Sequence, residues 1–235
     1  MDITSSWNEA FYREIQKDPL EASLKKLLDS ISWDEVVQLI YYEELVDLVF
    51  EDVLGSEYPF KILLDEDVFQ ELDFYSIRAN ETIAEVGAGS GAFSLLLALT
   101  KNNHLYVNDI NGFAIQYLKW KFNKLKSQFE NLSLEVIEGN KKSTEFPARS
   151  LDKIITRNSF HHFRKKKAML KSIHESLKMN GVFYIMEYVE SEEETCVFRM
   201  IEQEIHALVV NNGFVLDDKL SFADVFVLKY RKNPM

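Results

Sequence analysis

Four groups of residues carry the types and spacing that chemistry needs. The first is Glu85-Val86-Gly87-Ala88-Gly89-Ser90-Gly91, an acid followed by glycine at alternate positions. Glycine takes positive φ and lets a ligand lie against the backbone. A helix beginning just beyond would turn its free N–H groups and positive dipole end toward that ligand. The second is Asp109, eighteen residues past Gly91, whose carboxylate can accept from two neighbouring hydroxyls at once. The third is Asn140, in Glu138-Gly139-Asn140-Lys141, whose side chain both accepts and donates. The fourth is Arg157-Asn158-Ser159-Phe160-His161-His162-Phe163, together with Glu187. Histidine titrates near neutral pH, so His161 or His162 can act as a general base or orient a nucleophile. Each group has a plainer alternative. The glycines can make a turn with no ligand, Asp109 can cap a helix starting near Asn111, and Asn140 can be a turn residue. A histidine at such a bend can simply hold the loop, and Glu187 can be a polar strand end.

These residues must be positioned by an α/β framework. Ile83 to Val86 reads as a buried strand and Ala92 to Leu99 is rich in helix formers. Strand, glycine turn and helix form the entry to a nucleotide-type site in an open sheet. From residue 82 the two kinds of signal alternate, which argues a mostly parallel sheet with helices on both faces. Strands are expected at Leu105–Asn108, ending at Asp109, at Leu132–Ile137, at Leu151–Thr156, interrupted by Asp152 and Lys153, and at Val182–Met186. Helices are expected at Phe113–Phe122, at Lys165–Met179, stopped by Asn180-Gly181, and at Glu194–Val210, stopped by Asn212-Gly213. Phe214–Leu216 and Val225–Tyr230 are close enough in sequence to pair antiparallel. The expected fold is Rossmann-like, with a seven-stranded sheet closed by a C-terminal antiparallel hairpin. Ligands of such sheets sit beyond the carboxyl ends of the strands, where all four groups fall.

Residues 1–80 read as helices that precede an 81–235 sheet domain. Asp18-Pro19 stops a first helix, Ser32-Trp33-Asp34-Glu35 matches a capping box, and Gly55 and Tyr58-Pro59-Phe60 interrupt the pattern before a helix at Asp65–Phe74. These helices can cap a pocket or pack on the sheet edge. Tyr58, Phe60, Phe69 and Tyr75 are candidate pocket lining.

Two ligands compete for the glycine turn. Gly87, Gly89 and Ala92 satisfy the dinucleotide pattern G-x-G-x-x-G/A. Glu85 with Gly87, Gly89 and Gly91 resembles motif I of the class I S-adenosylmethionine-dependent methyltransferases. An acid just before the turn repels a pyrophosphate and attracts an ammonium, which favours adenosylmethionine. The resemblance covers roughly residues 80–230 and includes the His-His segment and the final hairpin. It implies that Asp109 binds the ribose and that Asn140, where the family commonly has an acid, meets the adenine. It also implies that the segment from Arg157 and Asn158 passes beneath the methionine part. Ala88, Ile110 and Lys141 complete the expected cofactor set. His161, His162 and Glu187 are the catalytic candidates. The function read from this is methyl transfer from S-adenosylmethionine to a small-molecule acceptor. The rivals are an NAD-dependent oxidoreductase and a non-catalytic, adenosylmethionine-binding or partner-binding module.

Composition narrows the partners. A net charge of -11 fits duplex nucleic acid poorly, since that binding rests on phosphate neutralisation. The 46% apolar content suffices for a core. The single Cys196 excludes an internal disulfide and a cysteine-rich zinc site. Adjacent histidines on extended chain point opposite ways, which disfavours an ion shared by His161, His162 and Glu187, so no metal is expected. The first residues lack a signal-peptide pattern and no apolar run is long enough to span a bilayer. A soluble cytoplasmic protein is expected. His104, His174 and His206 are expected on strand or helix surfaces without function.

Overall fold

The computed structural model describes residues 66–89, 103–112, 133–189, 200–222 and 224–233. It also describes residues 91, 93, 94, 97, 98, 114, 115, 118, 119, 122 and 123; residues 66–69 are described by their backbone alone. The chain divides into two compact units, Met1–Phe69 and Gln70–Met235. The helices expected before residue 65 lie outside the described residues, as do Tyr58, Phe60 and the Phe69 side chain.

Helix α1 (Glu66–Tyr75) leads into β1 (Thr82–Val86). The sheet continues with β2 (His104–Asp109), β3 (Ser133–Glu138), β4 (Leu151–Arg157), β5 (Leu177–Tyr188), β6 (Phe214–Phe222) and β7 (Val225–Lys232). Helices α2 (Lys166–Ser176) and α3 (Glu202–Val210) flank β5 in sequence. The strands lie in the order β3-β2-β1-β4-β5-β7-β6. All neighbours are parallel up to β5; β7 runs antiparallel to both β5 and β6. This is the expected Rossmann-like sheet with its closing hairpin. Strand order reverses at β1 and β4, the switch point where such sheets bind ligands.

Burial follows from that topology. β1 and β4 are central and nearly continuously buried, as a parallel sheet covered on both sides requires. Alternate side chains face opposite layers. Ala84, Val86, Ile154, Phe183 and Ile185 share one core with Leu170 and Ile173 of α2 and Ile205 and Val209 of α3. On the opposite face Tyr75 of α1 is fully buried, edge-on to Phe93 and Tyr184. Tyr75 is therefore core rather than pocket lining.

Three differences from the expected elements have local causes. Helix α2 stops at Ser176, and Asn180-Gly181 lies inside β5. Leu151 pairs Leu177 while Lys153 pairs Val182, so β5 bulges there. A Cβ on Gly181 would lie 2.9 Å from Leu177 and 3.0 Å from the Leu151 carbonyl oxygen, so glycine marks a close backbone approach. Strand β6 runs on to Phe222 because Asp217 pairs with Lys229 (3.0 Å) and Arg231 (2.6 Å) on β7. The polar pair within β4 is satisfied at the amino edge. Lys153 Nζ donates to Glu81 (2.6 Å) and to the Ser76 carbonyl (2.7 Å), and Asp152 accepts from the Thr82 N–H (2.8 Å) and Lys178 (2.7 Å). Among the described residues no helix is long and apolar enough to cross a membrane.

Candidate cofactor and catalytic site

The glycine turn is tied to β2 by its own amides. The N–H groups of Gly87 and Ala88 both donate to the Asn108 carbonyl (2.9 and 3.0 Å). Gly89 N–H donates to Asp109 Oδ2 (2.9 Å). Residues 93, 94, 97 and 98 beyond the turn are helical. The three glycines do different work. A Cβ on Gly87 would collide with the Ser159 side chain, and one on Gly91 would lie 2.5 Å from Leu118; both are packing positions. Gly89, at φ +56, has nothing among the described residues within 4 Å of where a Cβ would stand, as a ligand lying against the backbone requires.

Asp109 ends β2 half-buried and uses both oxygens, Oδ2 on Gly89 and Oδ1 on the Asn111 N–H (2.8 Å). Asn111 in turn accepts from the Ala114 N–H (3.3 Å), so Asn111 holds the capping position of the following helix. A charged carboxylate accepts about four hydrogen bonds, which leaves Asp109 capacity for hydroxyls. Ile110 beside it is 51% exposed, an apolar shelf at the strand end. Asn140 is committed to its own loop: Oδ1 accepts from the N–H groups of Lys142 (2.9 Å) and Ser143 (3.1 Å), and Nδ2 donates to Glu145 (2.6 Å). Lys141 is exposed. Asn140 therefore stands in a side-chain-closed turn.

Beneath the turn lies a buried charge cluster. Glu85, only 3% exposed, accepts from the Ser94 hydroxyl. Arg157, at the end of β4, makes a bidentate pair with Glu71 of α1, Nε and a terminal nitrogen each at 2.9 Å. Tyr75 donates to the same Glu71 (3.2 Å), and the guanidinium lies 5.6 Å from the Phe93 ring centre. Burial pushes the Glu85 carboxyl up to about 7, with Asp109 and Glu71 raising it and Ser94 and Arg157 pulling it down. Burial lowers the Arg157 guanidinium, but Glu71 outweighs it and the net direction is upward. Arg157 thus reaches the expected region but faces α1. Asn158 follows at φ +47, exposed, with its N–H on the Met186 carbonyl.

The histidine segment is a 3-10 turn, Phe160–His162, rather than extended chain. Ser159 Oγ anchors it by donating to the Val86 carbonyl (2.9 Å), which binds β4 to β1 directly under the glycine turn. His161 is buried and His162 exposed, with ring centres 3.9 Å apart. His161 Nδ1 lies 2.6 Å from Glu187 Oε2, and the His161 backbone N–H donates to Glu187 Oε1 (3.2 Å). Lys166 Nζ donates to the carbonyls of His161 and Phe163 (2.8 and 3.0 Å); burial pulls this lysine below its usual value while Glu187 raises it. The structure therefore joins His161 and Glu187 into one pair and leaves His162 outside it. Among the described residues no three His, Cys, Asp or Glu gather as a metal site. His174, expected on a surface, is buried edge-on to Phe214.

Sequence reasoning missed Glu71, Ser94 and Ser159. Glu71 and Arg157 are 86 residues apart, and no local pattern links them. Ser94 was accessible in principle, one helical turn beyond the glycines on the buried face.

The model of a family described as a methyltransferase domain matches residues 77–216. Solved structures share the fold. A SAM-dependent methyltransferase from Aquifex aeolicus superposes with a TM-score of 0.63 at 18% identity, over 75% of this chain and 100% of that one. A TehB-like SAM-dependent methyltransferase from Corynebacterium glutamicum gives 0.57 at 13%, over 82% and 99%. The [4+2]-cyclase SpnF gives 0.60 at 13%, over 71% and 80%. A comparison with curated protein sequences finds no match. With the family model spanning the glycine turn, Asp109 and the His161–Glu187 pair, the chain belongs to the methyltransferase-domain family, as a class I, Rossmann-like methyltransferase.

Proposed function

We propose that this methyltransferase, whose cofactor is S-adenosylmethionine, transfers the methyl group to a small-molecule acceptor. The observation that carries the cofactor reading is the buried Glu85 immediately before a turn whose Gly89 meets no described residue where a Cβ would stand. A pyrophosphate at that place would meet carboxylates on both flanks, Glu85 and Asp109; a cationic amino acid end meets attraction. The residues fit the cofactor: Gly89 for close approach, Asp109 for hydroxyls, Ile110 as an apolar shelf, and Glu85 for positive charge.

When bound, S-adenosylmethionine supplies a methyl group on a sulfonium, already activated for displacement. The chain then has to align the acceptor and exclude water. Asp109 and the close backbone approach at Gly89 would fix the ligand's orientation. His161 holds its ring through Nδ1 on Glu187, which leaves Nε2 to accept a proton from an acceptor that must lose one. The acidic balance of the chain supports a small acceptor over duplex nucleic acid.

Thermal melting tests this reading. Adenosylhomocysteine at a hundredfold its Kd stabilises the native state by about 2.7 kcal/mol, so the melting temperature rises; NAD leaves it unchanged. A rise with NAD and none with adenosylhomocysteine returns the chain to the oxidoreductase reading.

A further inference from the structure

Three of the four polar atoms of His161 are held by two side chains of opposite charge. Glu187 Oε2 lies 2.6 Å from the ring Nδ1, and Oε1 accepts from the His161 backbone N–H (3.2 Å). Lys166 Nζ donates to the His161 carbonyl (2.8 Å). The remaining polar atom is the ring Nε2. The two clamps come from different elements: Glu187 stands near the end of β5, and Lys166 opens α2. A lysine in a helix's first turn opposes the dipole, and that turn holds no acid to offset it. Its partners show what the lysine serves. The 3-10 turn closes with the His162 N–H on the Ser159 carbonyl and the Phe163 N–H on the Phe160 carbonyl. Lys166 takes the carbonyls of His161 and Phe163 and is near enough to Glu187 to be raised by it.

Glu187 serves two donors of one residue, and that decides where the ring keeps its proton. An ionised carboxylate only accepts, and a backbone N–H only donates. Nδ1 therefore carries the hydrogen toward Oε2, and Nε2 of the neutral ring carries a lone pair. We infer that Glu187 and Lys166 are positioning residues for His161: Glu187 keeps the proton of the neutral ring on Nδ1, Lys166 fixes the backbone that carries the ring, and Nε2 is thereby held as the accepting atom. The inference rests on the reading of His161 as a proton acceptor and deepens it. In the step it serves, the acceptor's bond to hydrogen breaks, the proton goes to Nε2, and the electron pair stays on the acceptor atom. The imidazolium so formed lies against the Glu187 carboxylate, which stabilises it.

The test is Glu187→Gln in the whole protein. Only the oxygen of an amide accepts. The backbone N–H of His161 claims that oxygen, so the amide nitrogen faces Nδ1 and donates to it. The ring's proton must then move to Nε2. Proton–nitrogen correlation spectra of protein labelled in its histidine rings read this tautomer, with His161→Ala assigning the signal and the pH raised until the ring is neutral. The wild type is expected to carry the proton on Nδ1 and Glu187→Gln to carry it on Nε2. With an identified acceptor, Glu187→Gln should lower kcat by about 10²-fold at unchanged adenosylhomocysteine Kd, and should add nothing in the His161→Ala protein. Lys166→Met should lower kcat by about tenfold through misplacement of the ring, and Lys166→Arg should restore most of it. A wild-type proton on Nε2, or one that stays on Nδ1 in Glu187→Gln, overturns the inference. A Glu187→Gln loss that persists in His161→Ala also overturns it, since that marks a residue that only holds the loop. Unchanged turnover in Lys166→Met removes Lys166 from the pair. An inverted tautomer with unchanged turnover is a different result: it keeps the proton's assignment and removes His161 as the base.

Discussion

The two faces of the sheet's carboxyl edge each hold a buried glutamate, and the two are partnered in opposite ways. On the α2 face Glu187 has a nitrogen partner on each oxygen, the His161 ring and the His161 backbone N–H. On the α1 face Glu85 has a serine hydroxyl, while the Arg157 guanidinium is held by Glu71. The first arrangement is complete in the protein alone and fixes an imidazole. In the second, among the described residues, the hydrogen bond made to the carboxyl comes from a hydroxyl and not from a nitrogen. The difference separates a group that orients from a group that recognises.

The comparison is broken most strongly through Arg157. Arg157→Met takes the guanidinium partner away from buried Glu71 and is expected to cost about 3–5 kcal/mol in urea unfolding. Adding Glu71→Leu should restore most of that loss, because removing both charges of a buried pair is often near neutral. If the double variant stays as unstable as the single, Arg157 serves Glu85 as well and the division between the two carboxylates fails.

The next effect lies in the pH dependence of stability. The carboxyl of Glu85 is raised from 4.5 to about 7 in the folded protein. Below pH 4.5 both folded and unfolded chains hold the proton, and its full contribution is present. As pH rises through 4.5 the unfolded chain loses its proton first, so stability falls until the folded form has deprotonated near 7. The loss is about 3 kcal/mol above that point. Glu85→Gln should therefore gain about that much on the wild type between pH 4.5 and pH 8, measured by urea unfolding without ligand. A constant difference across that range contradicts the burial argument.

On the opposite face, His161→Ala is expected to lower turnover with an identified acceptor by about 10²-fold, the worth of a positioned proton acceptor. Adenosylhomocysteine affinity should hold. If affinity falls in step with turnover, the His161–Glu187 pair shapes the loop and does not take a proton. The smallest effect is at the open shelf. Asp109→Ala is expected to weaken adenosylhomocysteine binding by about 2 kcal/mol, near thirtyfold, with the Asn111 cap keeping the next helix in place. An unchanged Kd would reassign Asp109 to tying the turn to β2.

What was legible in the sequence follows the same division. The glycine turn, Asp109 and the succession of strands along the chain are local or periodic signals, and a strand forms at each expected place, with its ends shifted in β5 and β6. The His161–Glu187 pair was legible only as two separate candidates, since its members are 26 residues apart. The buried pair of Glu71 and Arg157 left no trace, because an acid on a helix face reads as solvent-exposed until its partner is known. Boundaries slipped where tertiary contacts overrode local propensity. Asn180-Gly181 carries a helix-stop signature, yet it serves the bulge that brings β5 against Leu151. Asp217 lies beyond the strand expected to end at Leu216, yet charges on β7 keep it in β6.

A crystal structure with adenosylhomocysteine tests the central claim most directly. The account predicts the ribose hydroxyls on Asp109, the ligand backbone-close at Gly89, and the amino group on the Glu85 side of the turn. A ligand bound away from the turn, or one whose carboxylate rather than amino group approaches Glu85, contradicts it.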